Sequence, residues 1–71
     1  MDDLKSLRIK AGYNQTQVAT TLKISIASYN HYETGKRRPG LNLLKPLSEL
    51  YNCTIEELIT AVNETYKTSS A

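Results

Sequence analysis

Seventy-one residues without Trp or Phe allow one small domain, whose core must be filled by Leu, Ile, Val and tyrosine rings. A single cysteine, Cys53, excludes an intramolecular disulfide and a cysteine-rich zinc site; it points to a reducing compartment and is expected as a buried structural thiol. The net charge of +2 is small, but Lys23 to Lys45 carries five cations (Lys23, Lys36, Arg37, Arg38, Lys45) against one anion, Glu33, and a partner feels that local field.

The opening MDDLKSLRIK is charged throughout, and no run approaches the apolar length of a signal sequence or a membrane span. The expectation is a soluble, cytoplasmic chain with no membrane partner.

Leu4, Leu7 and Ala11 recur at helical spacing behind Asp2 and Asp3, whose carboxylates suit a helix N-terminus, and Gly12 stands where the helix would close. A first helix is placed at about residues 3–11. Asn14 with Gln17 three positions on forms a capping box, and Val18, Ala19 and Leu22 supply one apolar face, so a second helix spans about 15–22. Only Lys23 and Ile24 separate it from Ser25, another N-cap residue type. Tyr29 and Tyr32 then share one side of a third helix of about 26–33, which Gly35 ends.

The segment GKRRPG is a turn by its glycines and proline, and it is the most basic place in the chain. Leu43, Leu44, Leu47 and Leu50 continue a helical stripe; because proline is comfortable only in a first turn, a fourth helix is expected to begin between Asn42 and Pro46. Thr54 with Glu57 makes another capping box, and Ile55, Leu58, Ile59 and Val62 form the apolar face of a fifth helix. Residues 66–71, ending in KTSSA, have little to bury and read as a disordered tail behind a domain of residues 1–65. Five short helices with brief connections leave no room for strands, so the fold class is all-α.

The second and third helices meet across a connection too short to fold back antiparallel, so they should cross steeply as a helix-turn-helix, with the small Ala19 at the contact. Over about residues 4–59, through LKSLRIKAGYNQTQVATTL, YETGKRRP and LSELYNCTIEELI, the chain resembles the phage repressor and Cro-like helix-turn-helix family. The resemblance implies a lambda-repressor-like DNA-binding domain. It also implies a sequence-specific transcriptional regulator, a repressor in type, that binds a double-stranded DNA operator as a homodimer through its C-terminal helices.

Carried over by position, Ile26, Ala27, Asn30 and His31 would face bases in the major groove. Asn14, Gln15, Thr16, Ser25, Ser28, Lys36, Arg37 and Arg38 would hold phosphates. The N–H groups and positive dipole end at the start of the second helix independently suit a phosphate. The resemblance further implies a structural ion pair between Arg8 and Glu33 that fixes the reading helix to the rest of the domain.

Three departures from the family pattern bear on these roles. Lys23 stands where the motif's turn usually has Gly, at a cost of about 1 kcal/mol if the backbone keeps a positive φ. Tyr29 replaces an aliphatic at the motif's centre; both Tyr29 and Tyr32 are expected to be largely buried, with the Tyr29 hydroxyl reaching an edge. Ile26 and Ala27 replace hydrogen-bonding residues at the leading base-reading positions, which favours contact with thymine methyls, while Asn30 offers an amide to adenine. An operator rich in A·T pairs is the expectation.

Plainer readings stand beside these. An exposed KRR run is most often merely solvated, and only its position after the reading helix gives it a phosphate role. The solitary His31 has no second ligand nearby, so no metal is expected. No His, Cys or Ser is set with a base and no glycine loop cradles a cofactor, so neither catalysis nor a cofactor is expected. The competing functional reading is a protein-binding module that keeps the fold and offers Ile26 and Ala27 to a protein partner.

Overall fold

A computed structural model describes residues 2–69, which form α1 (Leu4–Ala11), α2 (Gln15–Leu22), α3 (Ile26–Glu33), α4 (Leu41–Leu50) and α5 (Ile55–Ser69). No strand occurs among the described residues, and the class is all-α.

Local chemistry sets most helix starts. The Asp3 carboxylate accepts from the Ser6 N–H at 2.9 Å, which makes Asp3 the cap of α1 and holds its carboxyl below the usual range. Asn14 and Gln17 exchange bonds of 2.8 and 2.9 Å as a capping box before α2. Thr54 and Glu57 do the same before α5 at 2.9 and 3.0 Å. Ser25 accepts from the Ser28 N–H at 3.0 Å to open α3. At the other end of α2, Lys23 is left-handed at φ 59°, and its N–H returns to the carbonyls of Ala19 and Thr20.

Two boundaries differ from the sequence expectation. Helix α4 begins at Leu41, with Gly40 as its cap, and Pro46 lies inside it. Leu43 and Leu47 are buried on one side and hold the first turn in place, while Asn42 and Pro46 are both exposed. Helix α5 runs through Ser69, so residues 66–69 of the expected tail are helical, and Ser70 and Ala71 lie outside the described residues. Thr65 and Tyr66 are what the sequence reading undervalued: both make contacts that hold this last stretch to the domain.

The core joins Leu4, Val18, Ala19, Tyr29, Leu43, Leu47, Tyr51, Leu58 and Val62, so every helix contributes. Each fully buried Leu removes enough apolar surface to stabilise the fold by roughly 1.5–3 kcal/mol. The Leu4 N–H donates to Thr65 Oγ1 at 2.9 Å, and this hydroxyl donates to the Ala61 carbonyl at 3.0 Å, which fastens α5 to the first turn of α1.

Tyr29 is fully buried as expected, but its hydroxyl is satisfied inside, by the hydroxyl of Tyr51. Tyr32 is only half-buried, standing edge-on to Tyr29 with ring centroids 6.5 Å apart. Cys53 is likewise half-buried, with its thiol pushed up by burial and then by Glu57. Of the apolar face expected on α5, Leu58 and Val62 are buried, whereas Ile55 and Ile59 remain exposed.

Candidate nucleic-acid interface

Helix α3 is fixed from behind by charge. Arg8 Nε and Nη2 donate to the two carboxylate oxygens of Glu33 at 2.6 and 3.1 Å, and Arg8 Nη1 donates to the Tyr13 carbonyl at 3.0 Å. The Arg8 and Glu33 side chains keep only 12% and 4% of their exposure. Burial alone would push the Glu33 carboxyl up, but donors from Arg8, Gln15 and Tyr29 outweigh it and hold the group below its usual range. The hydrogen bonds to Glu33 raise Arg8 in turn.

The rest of α3 is more open. Ile26 is 49% exposed, Ala27 is exposed, and Ser28, Asn30 and His31 are half-buried. The Ser25 hydroxyl donates to Ser28 Oγ at 2.9 Å, so the two serines are paired beside Ile26 and Ala27.

The start of α2 lies beside this surface. Thr16 is exposed, and the N–H groups of Gln15 and Thr16 precede that of Val18, which makes the first intrahelical bond, to the Asn14 carbonyl. Asn14 uses Oδ1 on its capping box. The Gln15 side chain turns inward: Nε2 donates to Glu33 Oε1 at 3.1 Å, and Oε1 accepts from Asn30 Nδ2 at 3.4 Å. The two residues assigned from sequence to phosphate and to base are therefore joined to each other.

The basic turn is anchored to the end of the same helix. The N–H groups of Lys36 and Arg37 both donate to the His31 carbonyl, at 2.9 and 3.2 Å, and both side chains are exposed. Arg38 is not part of that group: Nη1 donates to Asn63 Oδ1 at 2.9 Å, and its guanidinium lies 4.4 Å from the centre of the Tyr66 ring on α5. Asn63 and Tyr66, the α5 partners of Arg38, lie outside the stretches that carry the family resemblance.

A family model described as helix-turn-helix matches residues 4–58. The chain belongs to this helix-turn-helix family, of the Cro/C1 type. Among curated relatives, it is 37% identical over 59 residues to the HTH-type transcriptional regulator AnsR of Bacillus subtilis (strain 168), covering 83% of this chain and 51% of that protein. It is 39% identical over 56 residues to the HTH-type transcriptional regulator ImmR of the same strain, covering 79% of this chain and 44% of that protein. It is 30% identical over 57 residues to the cryptic phage CTXphi transcriptional repressor RstR of Vibrio cholerae, covering 80% of this chain and 51% of that protein. The chain thus spans about half the length of the curated relatives it matches. No solved structure gives a significant match.

The helix-turn-helix of this family member is α2 and α3, joined by Lys23, Ile24 and Ser25. Among the described residues no group of His, Cys, Asp and Glu is placed to hold a metal, and no helix is long and apolar enough to cross a membrane.

Proposed function

We propose that the chain is a sequence-specific DNA-binding transcriptional regulator, with α3 in the major groove. The observation that carries this reading is the anchoring of Lys36 and Arg37 to the His31 carbonyl, which holds two exposed cations beside the open face of a helix clamped from behind. Cations at the rim and neutral side chains at the centre are what phosphate positioning and base contact require. Ile26 and Ala27 meet thymine methyls, Asn30 and His31 meet polar base edges, and Asn14, Thr16, Ser25, Ser28 and the Gln15 N–H join Lys36 and Arg37 on phosphates. The regulator works in the cytoplasm and its outcome is repression, the role that the name of RstR gives for that relative.

The regulator acts as a two-fold dimer through α4 and α5. Leu41 is 85% exposed beside a groove of about 260 Å³ lined by Arg38, Pro39, Leu41, Leu44, Ile59 and Val62. A self-complementary interface needs a projecting side chain and a recess on one patch, and this face has both. Two reading helices would then meet half-sites about one helical turn apart.

A gel shift of the wild type beside the double variant Lys36→Ala, Arg37→Ala tests the DNA reading. Binding by the wild type and its loss in the variant are expected; equal, negligible binding by both would end it. The exposure of Ile26 favours a second reading, a protein partner docked on Ile26 and Ala27, for which binding would tolerate salt and survive loss of the two cations.

A further inference from the structure

The basic turn is held at its two ends by different parts of the fold. At its start the Lys36 and Arg37 N–H groups share the His31 carbonyl, which ties them to α3. At its close Pro39 is buried, and the Gly40 carbonyl accepts from the Leu43 N–H at 2.9 Å as α4 begins. Between these points Arg38 reaches α5. Asn63 and Tyr66 lie three apart there, on one face of the helix, and take the guanidinium together. Asn63 Oδ1 accepts from Nη1 at 2.9 Å, and the centre of the Tyr66 ring lies 4.4 Å from Cζ. The stretch of α5 that supplies them is itself fastened, because Thr65 accepts from the Leu4 N–H of α1 at 2.9 Å. Arg37 therefore stands between two anchors, the His31 carbonyl through its own N–H and α5 through the next side chain. Asn63 and Tyr66 are exposed and neutral, so they hold the turn without changing its charge.

We propose that Asn63 and Tyr66 are positioning residues for DNA binding: acting through Arg38, they hold the basic turn so that Lys36 and Arg37 meet phosphates already ordered. This rests on the reading of Lys36 and Arg37 as phosphate contacts. Cations on a loose turn lose freedom when they settle on a phosphate, and a turn fixed at both ends has less to lose. The difference appears in affinity and not in the number of ions released, because the same phosphates are neutralised in either case. A guanidinium suits this task better than an ammonium, since it stacks on the ring and keeps N–H groups in its plane for Asn63. The third cation of the KRR run thus serves DNA from behind, through the end of α5, and touches no phosphate.

The test uses the full chain and a short duplex carrying one half-site, taken from sequences that the wild type selects from a random pool. A single protomer fills it, so self-association does not enter. Affinity is measured at several salt concentrations for wild type, the double variant Asn63→Ala, Tyr66→Leu, the conservative Tyr66→Phe and, as a control on the same face, Ile59→Ala. The double variant should bind about 2- to 5-fold more weakly throughout, the worth of an exposed cation–π contact, with an unchanged salt slope. Tyr66→Phe keeps the ring face and should bind as the wild type does. So should Ile59→Ala, which trims the groove and leaves the Arg38 contacts in place. Wild-type affinity in the double variant removes the positioning role while the DNA reading stands. Tighter binding with a slope steeper by roughly 0.9 would mean that α5 withholds Arg38 from a phosphate, which overturns the proposal. An equal loss in Ile59→Ala would assign the effect to the whole face and overturn it too. A wild type that binds no duplex, or binds indifferently to salt, defeats the phosphate reading and this proposal together. A DNA-free measurement separates the outcome from misfolding: in the double variant the Lys36 and Arg37 amide protons should exchange faster, while the Tyr29 amide within α3 keeps its rate. Unchanged exchange at Lys36 and Arg37 would contradict a turn held from α5.

Discussion

Arg8 on α1 and Glu33 at the last turn of α3 are joined by two hydrogen bonds between largely buried charges, and this pair sets the orientation of the helix that faces outward. Removing one partner leaves the other charge buried and alone, which costs about 3–5 kcal/mol. In a domain this small that is a large part of the total stability, so Arg8→Ala should be at best marginally folded in buffer. Chemical denaturation followed by circular dichroism measures the loss; a change below about 1 kcal/mol would place the pair among exposed, weak bridges.

The same pair makes stability depend on acid. The Glu33 carboxyl is lowered from 4.5 in the folded chain, so its contribution is fully present above that value and is lost as pH falls through the lower folded value. Glu33→Gln should therefore be less stable than wild type at neutral pH, and the two denaturation midpoints should converge under acid. Parallel curves down to low pH would contradict this.

The buried Tyr29 and Tyr51 hydroxyls give the opposite limb. Burial raises both, Tyr29 far above its ordinary 10.0 and Tyr51 to about 12, so the folded chain holds its protons more tightly than the unfolded chain. Their contribution is present below the unfolded value near 10 and is lost as pH rises above it. Unfolding in alkali should be cooperative and coincide with the rise of tyrosinate absorbance; early titration of all tyrosines in a still-folded chain would argue against the buried pair.

Lys23 occupies a left-handed position at φ 59° that glycine adopts without steric cost. Lys23→Gly should raise stability by about 0.5–1 kcal/mol, a few degrees in melting temperature. A lower melting temperature would mean that the side chain contributes more than its backbone costs.

Arg38 and its two neighbours should separate in a salt titration. Lys36→Ala and Arg37→Ala should each reduce the slope of log affinity against log salt by roughly 0.9. Arg38→Ala should leave that slope near the wild-type value and instead loosen the end of α5, seen as faster amide exchange around Asn63 and Tyr66. Equal slope losses for all three would return Arg38 to the phosphates.

The sequence made the helices legible because their starts are written in local chemistry: Asn14 with Gln17, Ser25 with Ser28, and Thr54 with Glu57 lie within one turn of each other. It also made the outward residues of α3 and the Arg8–Glu33 pair legible, both through the family resemblance. What it hid depends on distance along the chain. Arg38 meets Asn63, Tyr29 meets Tyr51, and Leu4 meets Thr65, contacts between residues too far apart for any periodic pattern to connect. Pro46 misled for a different reason: a proline inside a helix leaves the carbonyl four residues back without its usual donor, and here Asn42 and Pro46 both stand on the exposed side, where solvent can reach them.

Equilibrium binding of the wild type to its selected duplex and to a scrambled duplex, over about 50 to 200 mM salt, puts the reading of α3 to the test. Affinity for both should fall linearly on logarithmic axes, with the selected duplex bound more tightly throughout. Equal affinity for the two sequences, or binding indifferent to salt, would contradict it.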